Sequence, residues 1–208
     1  MNTRLTSCVL LVLLAIGSLL WFGPQAVAYP KPALIGQSWE LTFDFKPPRT
    51  IAVPDMDGQV RWYWYMPYTV TNNTDTEQFF VPQVTVATDQ GDILTAGRGI
   101  GPNVFRAIQK QLGNPLLDNP IQVSGRILIG EDHAKESVAI WPVFPHDVDE
   151  MRMFIAGLSG ETQKVKHPLT GKDIELRKSK MLIFQTPGTS VHPQRQPIQI
   201  HTQTWVMR

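Results

Sequence analysis

The chain has 208 residues, 19 Lys+Arg against 18 Asp+Glu, a formal net charge of +1 and one cysteine. A balance so close to zero, with no run of like charge, speaks against a nucleic-acid partner and against docking on anionic lipid, both of which need a basic patch. One thiol, Cys8, leaves no room for an internal disulfide or an iron–sulfur site.

Arg4 supplies a positive start, an apolar run covers Val9 to Leu20, and Pro24 breaks it before Ala26-Val27-Ala28. That order predicts a secretory signal peptide over residues 1–28 with an A-x-A cleavage site, so that the mature protein begins at Tyr29 in a secreted or periplasmic setting. Two other readings stay open. An uncleaved anchor is one, because Leu5 to Phe22 approaches the roughly 20 residues of a spanning helix, although Thr6, Ser7 and Gly17 dilute the run. Lipid attachment is the other, although Cys8 precedes the apolar stretch rather than following it. Cleavage removes Cys8 and Arg4, leaving 180 residues with 18 charges of each sign, no thiol and no stable membrane span. That length suffices for one domain with its own core.

Two prolines in Tyr29-Pro30-Lys31-Pro32 predict an extended arm over residues 29–36. A single domain over 37–208 then begins with Trp39, Leu41, Phe43 and Phe45 alternating with polar neighbours, the period of a half-wet strand. Thr50 to Val53 is a short further segment before the turn Pro54-Asp55-Met56-Asp57-Gly58. Gln59 to Thr71 carries the strongest strand pattern: Trp62, Trp64, Met66, Tyr68 and Val70 face one way, Arg61, Tyr63, Tyr65, Pro67, Thr69 and Thr71 the other. Phe79 to Thr88 reads as its returning strand, with Pro82 marking an edge or a bulge. A turn at Asp89-Gln90-Gly91-Asp92 leads into Ile93 to Ala96.

One helix is expected from Pro102 to Leu112, where Val104, Phe105, Ile108 and Leu112 form an apolar stripe, Pro102 suits the first turn and Gly113 the stop. At about 10 residues it is marginal alone, so the stripe is expected to seal an end or edge of a sheet. Strands are predicted over Gly125–Ile129, Glu136–Val143, Met151–Leu158, Glu161–Lys166, Asp173–Thr186 and Ile198–Met207, with a hairpin tip at 167–171.

Eight or nine strands with regular turn signals predict an all-β, immunoglobulin-like antiparallel β-sandwich with one short helix inserted. The run Tyr65-Met66-Pro67-Tyr68-Thr69-Val70-Thr71-Asn72-Asn73-Thr74 resembles the Y-x-V-x-N-x-T strand-to-turn pattern of bacterial immunoglobulin-like domains. Together with Gly157-Leu158-Ser159-Gly160-Glu161 and Trp205-Val206-Met207-Arg208, it resembles uncharacterised secreted immunoglobulin-like β-sandwich proteins of planctomycete-type bacteria. The resemblance implies a sandwich and export, and transfers no activity and no functional residue.

Motifs of chemistry are incomplete. Gly97-Arg98-Gly99-Ile100-Gly101 has Pro102 where a dinucleotide loop needs glycine. Gly157-Leu158-Ser159-Gly160-Glu161 has Glu161 where a nucleophile elbow needs its second glycine, and reads as a turn. The five histidines, His133, His146, His167, His192 and His201, lack the spacing of a helical zinc site. Asn72-Asn73-Thr74 satisfies a glycosylation sequon, but local backbone bonding in a turn favours the same residues.

Two candidate sites remain, and no catalytic residue and no cofactor is assigned. The first is a binding face of Arg61, Tyr63 and Tyr65, where exposed rings would stack on a sugar or a partner protein; packing beneath a loop or the helix is the plainer alternative. The second is a calcium site at Asp147, Asp149 and Glu150, weighed against a solvated turn. The expected function is a non-enzymatic, exported interaction or structural module meeting an envelope protein or a glycan. A small secreted hydrolase or carbohydrate-active protein and a calcium-stabilised adhesion module are the alternatives.

Overall fold

The computed structural model describes residues 30–34, 36, 38–54, 57–186 and 198–208. The signal segment, Tyr29, Asp55, Met56 and His192 lie outside the described residues. Lys31–Arg208 forms one compact unit. Its described residues are mostly β, with antiparallel sheets and one α-helix.

The first sheet is organised by one long strand. β1 (Thr42–Phe45) and β2 (Arg49–Pro54) both pair with β3 (Val60–Thr71). β8 (Lys135–Pro142) pairs with it over Tyr63 to Val70, overlapping both of the other registers. β8 must therefore take the edge of β3 opposite β1 and β2. The expected return strand after β3 does not pair with it. Its sequence divides at Val81-Pro82 into β4 (Gln78–Phe80) and β5 (Gln83–Thr88), because a proline has no amide to continue a ladder. β4 pairs with β7 (Gly125–Ile127) in a small separate ribbon, whereas β5 joins the second sheet.

That second sheet runs β12 (Gln199–Met207), β11 (Asp173–Gln185), β9 (Glu150–Ala156), β5, β6 (Ile93–Thr95). β10 (Thr162–Lys166) continues along β11 beyond β9, and the two form a hairpin.

The sheets share one core. Trp64, Met66, Tyr68 and Val70 of β3 and Trp141 of β8 pack with Val84, Met153, Ile155, Leu182 and Phe184 of the second sheet. Trp64 and Trp141 stack with ring centroids 6.4 Å apart, as their direct cross-strand pairing requires. Of the β3 face expected in the core, Trp64, Met66, Tyr68 and Val70 are there, whereas Trp62 near the start of the strand stays half-buried outside both clusters.

The other face of β3 is buried as well. Helix α1 (Pro102–Leu112) lies against it, and Val104 and Ile108 pack with Tyr65, Val53, Val138 and Ile140 in a second core. The helix covers a sheet face rather than the expected end or edge. Burying those two aliphatic side chains contributes about 2 kcal/mol each, which a short helix needs to persist. Gly113 ends the helix in the left-handed region at φ 64°, with its N–H donating to Lys110 O.

Candidate functional site

The six-stranded sheet has an outward face that belongs to neither core. Because directly opposite residues share a face, cross-strand register sets one row across it: Thr95 on β6, Thr85 on β5, Phe154 on β9, Met181 on β11 and Thr204 on β12. Gln83 and Ala156 pair in the next row, as do Ser179 and Val206. None of these residues takes part in the buried clusters.

Two guanidinium groups close one end of these rows. Arg177 and Arg208 exchange backbone hydrogen bonds of 2.7 and 3.1 Å, which sets their side chains beside one another. Ser179 is buried, and its hydroxyl donates to Arg177 O at 3.3 Å, fixing that backbone. The Arg208 guanidinium sits over Phe154, 4.2 Å from the ring centroid, in a cation–π contact. Arg177 approaches Glu175 Oε1 at 3.6 Å across an exposed surface, a weak pairing. Between the arginines, Phe154, Gln83 and Thr85 lies an open groove of about 220 Å³.

The most charged buried assembly lies on the inward side. Lys178 Nζ, whose side chain is 4% exposed, bonds Glu40 Oε1 at 2.5 Å and Glu161 Oε2 at 3.0 Å. Burial pulls the lysine's pKa down, but the hydrogen bonds it donates to Glu40 and Glu161, with their negative charges, outweigh this and leave it raised. Glu161 is lowered, first by the Ala33 N–H donating to its Oε1 at 2.8 Å and then by Lys178. Lys178 and Glu161 are thus held in their charged forms, the opposite of the poise that general acid–base catalysis near neutral pH requires.

The expected aromatic binding face is overturned at its centre. Tyr65 is 0% exposed beneath α1, and Tyr63 packs partly against the same cluster. Arg61 stays exposed, so no accessible pair of rings stands beside it. The helix stripe needed a partner, and this face of β3 and β8 supplied it.

The calcium candidates do not form a cage. Glu150 is held by Arg152 at 2.6 Å, and the backbone N–H groups of Asp149 and Glu150 donate to Asp89 Oδ1 at 3.3 and 3.4 Å. Asp147 and Asp149 are exposed, and no group of three or more His, Cys, Asp or Glu is placed to hold a metal among the described residues. The acidic stretch is a turn locked by Asp89. Burial tends to raise that carboxyl's pKa, but the bonds from Gln90 and from the backbone at 149 and 150 outweigh this and lower it.

The remaining motifs serve local structure. The Ser159 hydroxyl accepts from Glu161 N at 3.2 Å. His167 Nδ1 accepts from the amides of Leu169 and Thr170 in the hairpin tip. His146 Nε2 comes within 2.7 Å of Asp92 Oδ2 without the alignment of a full hydrogen bond. Asn72 of the sequon is fully buried: its amide donates to Thr76 O and Ile127 O, and its Oδ1 accepts from Thr74. A nitrogen so committed ties β3 to β7 and is closed to a glycan.

A second concavity, about 320 Å³ and mostly apolar, lies between Ile100, Phe105, Pro120 and Ile121 beside the start of α1. No helix among the described residues is long and apolar enough to cross a membrane. Comparison with protein-family models, curated proteins and solved structures finds no match to this chain.

Proposed function

We propose that this chain is a non-enzymatic, exported interaction module of the periplasm or cell envelope, binding its ligand on the outward face of the six-stranded sheet. The observation that carries the reading is the Arg208 guanidinium laid on Phe154 beside Arg177, over an open groove. Phe154 and Arg177 stand on strands, and Arg208 directly follows β12 with its backbone bonded to that of Arg177, so the surface is largely pre-organised and little ordering entropy is lost on binding. The threonine and glutamine side chains around them offer hydroxyl and amide partners to a hydroxylated ligand.

The same proposal takes the sandwich as immunoglobulin-like, related to the secreted proteins it resembles, with residues 1–28 as its export signal. Two antiparallel sheets around one core and the Tyr68-to-Thr74 strand-to-turn pattern support the first point. The Arg4, apolar-run and Ala26-Val27-Ala28 order supports the second.

A carbohydrate array of neutral and acidic glycans, probed with the full chain and with Phe154→Ala, tests the reading. The expected result is saturable retention that Phe154→Ala abolishes, with the bound glycan recovered intact. Shortened glycan after incubation would favour the hydrolase alternative. Retention unaffected by Phe154→Ala would remove the face.

A further inference from the structure

We infer that the ligand of this outward face is an acidic polysaccharide, gripped by the carboxylates of its uronate units on Arg177 and Arg208; the inference rests on the reading of the face as the binding surface. The Arg208 guanidinium sits over Phe154 at 4.2 Å from the ring centroid and lines the open groove. A guanidinium is a planar fork matched to a planar carboxylate, which it bonds through two parallel N–H groups. Arg177 stands beside it through the reciprocal backbone bonds, and its own carboxylate partner, Glu175, is 3.6 Å away and exposed, hence easily exchanged for a ligand.

A contrast within the same sheet strengthens the assignment. Arg152, also exposed on β9, is held by Glu150 at 2.6 Å and is not offered in the same way. The ligand is extended rather than compact because the row of three threonines with Phe154 and Met181 between them runs from Thr95 to Thr204 across five strands. At about 4.8 Å per strand that row is roughly 19 Å long, several sugar units. The near-neutral charge of the chain suits a polymer carrying spaced carboxylates better than the dense charge of a nucleic acid.

Calorimetric titration of the full chain with an oligogalacturonate and with its methyl ester tests the inference, since the two differ in charge and share a backbone. The acid is expected to bind at least tenfold tighter than the ester, and to weaken as salt is raised. Arg177→Gln and Arg208→Gln should each lower its affinity about tenfold with an unchanged thermal melt. Arg177→Lys, which keeps the charge and loses the fork, should fall between. Equal binding of acid and ester, or glutamine variants that bind like the parent, would overturn the inference. If neither oligomer binds while Phe154→Ala still abolishes retention of a neutral glycan, the acidic class is wrong and the face stands; if Phe154→Ala changes no retention, the face itself is wrong.

Discussion

Arg177 and Arg208 exchange both backbone hydrogen bonds, at 2.7 and 3.1 Å, and so set two guanidinium groups side by side at one end of an open sheet face. The pairing comes from strand register rather than from side-chain attraction, since like charges repel. The backbone bonds hold them together, and Phe154 on β9, the strand on the other side of β11, lies beneath the Arg208 guanidinium.

Lys178 is expected to be the most sensitive charged residue. Lys178→Met would leave Glu161, 10% exposed, and Glu40 without their cation. Removing one partner of a buried ion pair costs about 3 kcal/mol, because the remaining charge is left uncompensated. Urea denaturation should show a loss of that order, and a loss below about 0.5 kcal/mol would mean that water already screens the group.

The acid limb of stability should carry the mark of Glu161. Its folded pKa lies below the ordinary 4.5, because Ala33 N–H and Lys178 favour the carboxylate. A depressed carboxyl stabilises the fold above its unfolded pKa, and that contribution is lost as pH falls through the folded value. The urea midpoint should therefore drop as pH is taken below about 4.5, and Glu161→Gln should flatten that limb. A parallel decline in parent and variant would assign the acid sensitivity elsewhere, Asp89 being the next carboxyl with a lowered pKa.

At the alkaline end, burial raises Tyr68 to about 12 against an ordinary 10.0, more than its bond with Ser137 lowers it. A raised pKa gives stability that is complete below the unfolded value and lost as pH rises through the folded one. Tyrosinate absorbance should show a late step near 12, absent in Tyr68→Phe. A step of the same size in that variant would place the late titration on another phenol.

Tyr65 and Tyr63 should separate in a stability assay. Tyr65→Ala empties a site under α1 that is 0% exposed, and large-to-small changes of an aromatic ring in a core cost about 3 kcal/mol or more. Tyr63→Ala, at a partly buried position, should cost less. Equal and small losses would contradict the packing of α1 on β3.

Gly157 has φ 90°, and a Cβ there would run into Val81 O, at the corner where β4 and β5 part. Gly157→Ala combines an unfavourable backbone region with overpacking and should destabilise by about 1–3 kcal/mol. An unchanged melting temperature would show that this corner yields freely.

Much of the strand order was legible because period-two alternation and turn residues are local signals. β3, α1, the β10–β11 hairpin and the inward placing of Trp64, Met66 and Val70 follow from them. Pairing was not legible. Phe79 to Thr88 reads as one strand until Pro82 sends its halves to different partners, and nothing local says that α1 chooses the Tyr65 face. The arginine pair was hidden for the same reason. Alternation places Thr204, Val206 and Arg208 on one face of β12, but their meeting with Arg177 and Phe154 depends on the registers of β12 with β11 and of β11 with β9.

The central claim is that ligand is bound, and left intact, on the outward face of the six-stranded sheet. Amide chemical-shift mapping of the full chain titrated with oligogalacturonate tests it most directly, with the oligomer's length followed in the same sample. Shifts gathered at Thr85, Phe154, Ser179 and Arg208, with the oligomer unchanged, are the predicted result. Shifts gathered instead around Phe105 and Ile121, or progressive shortening of the oligomer, would contradict it.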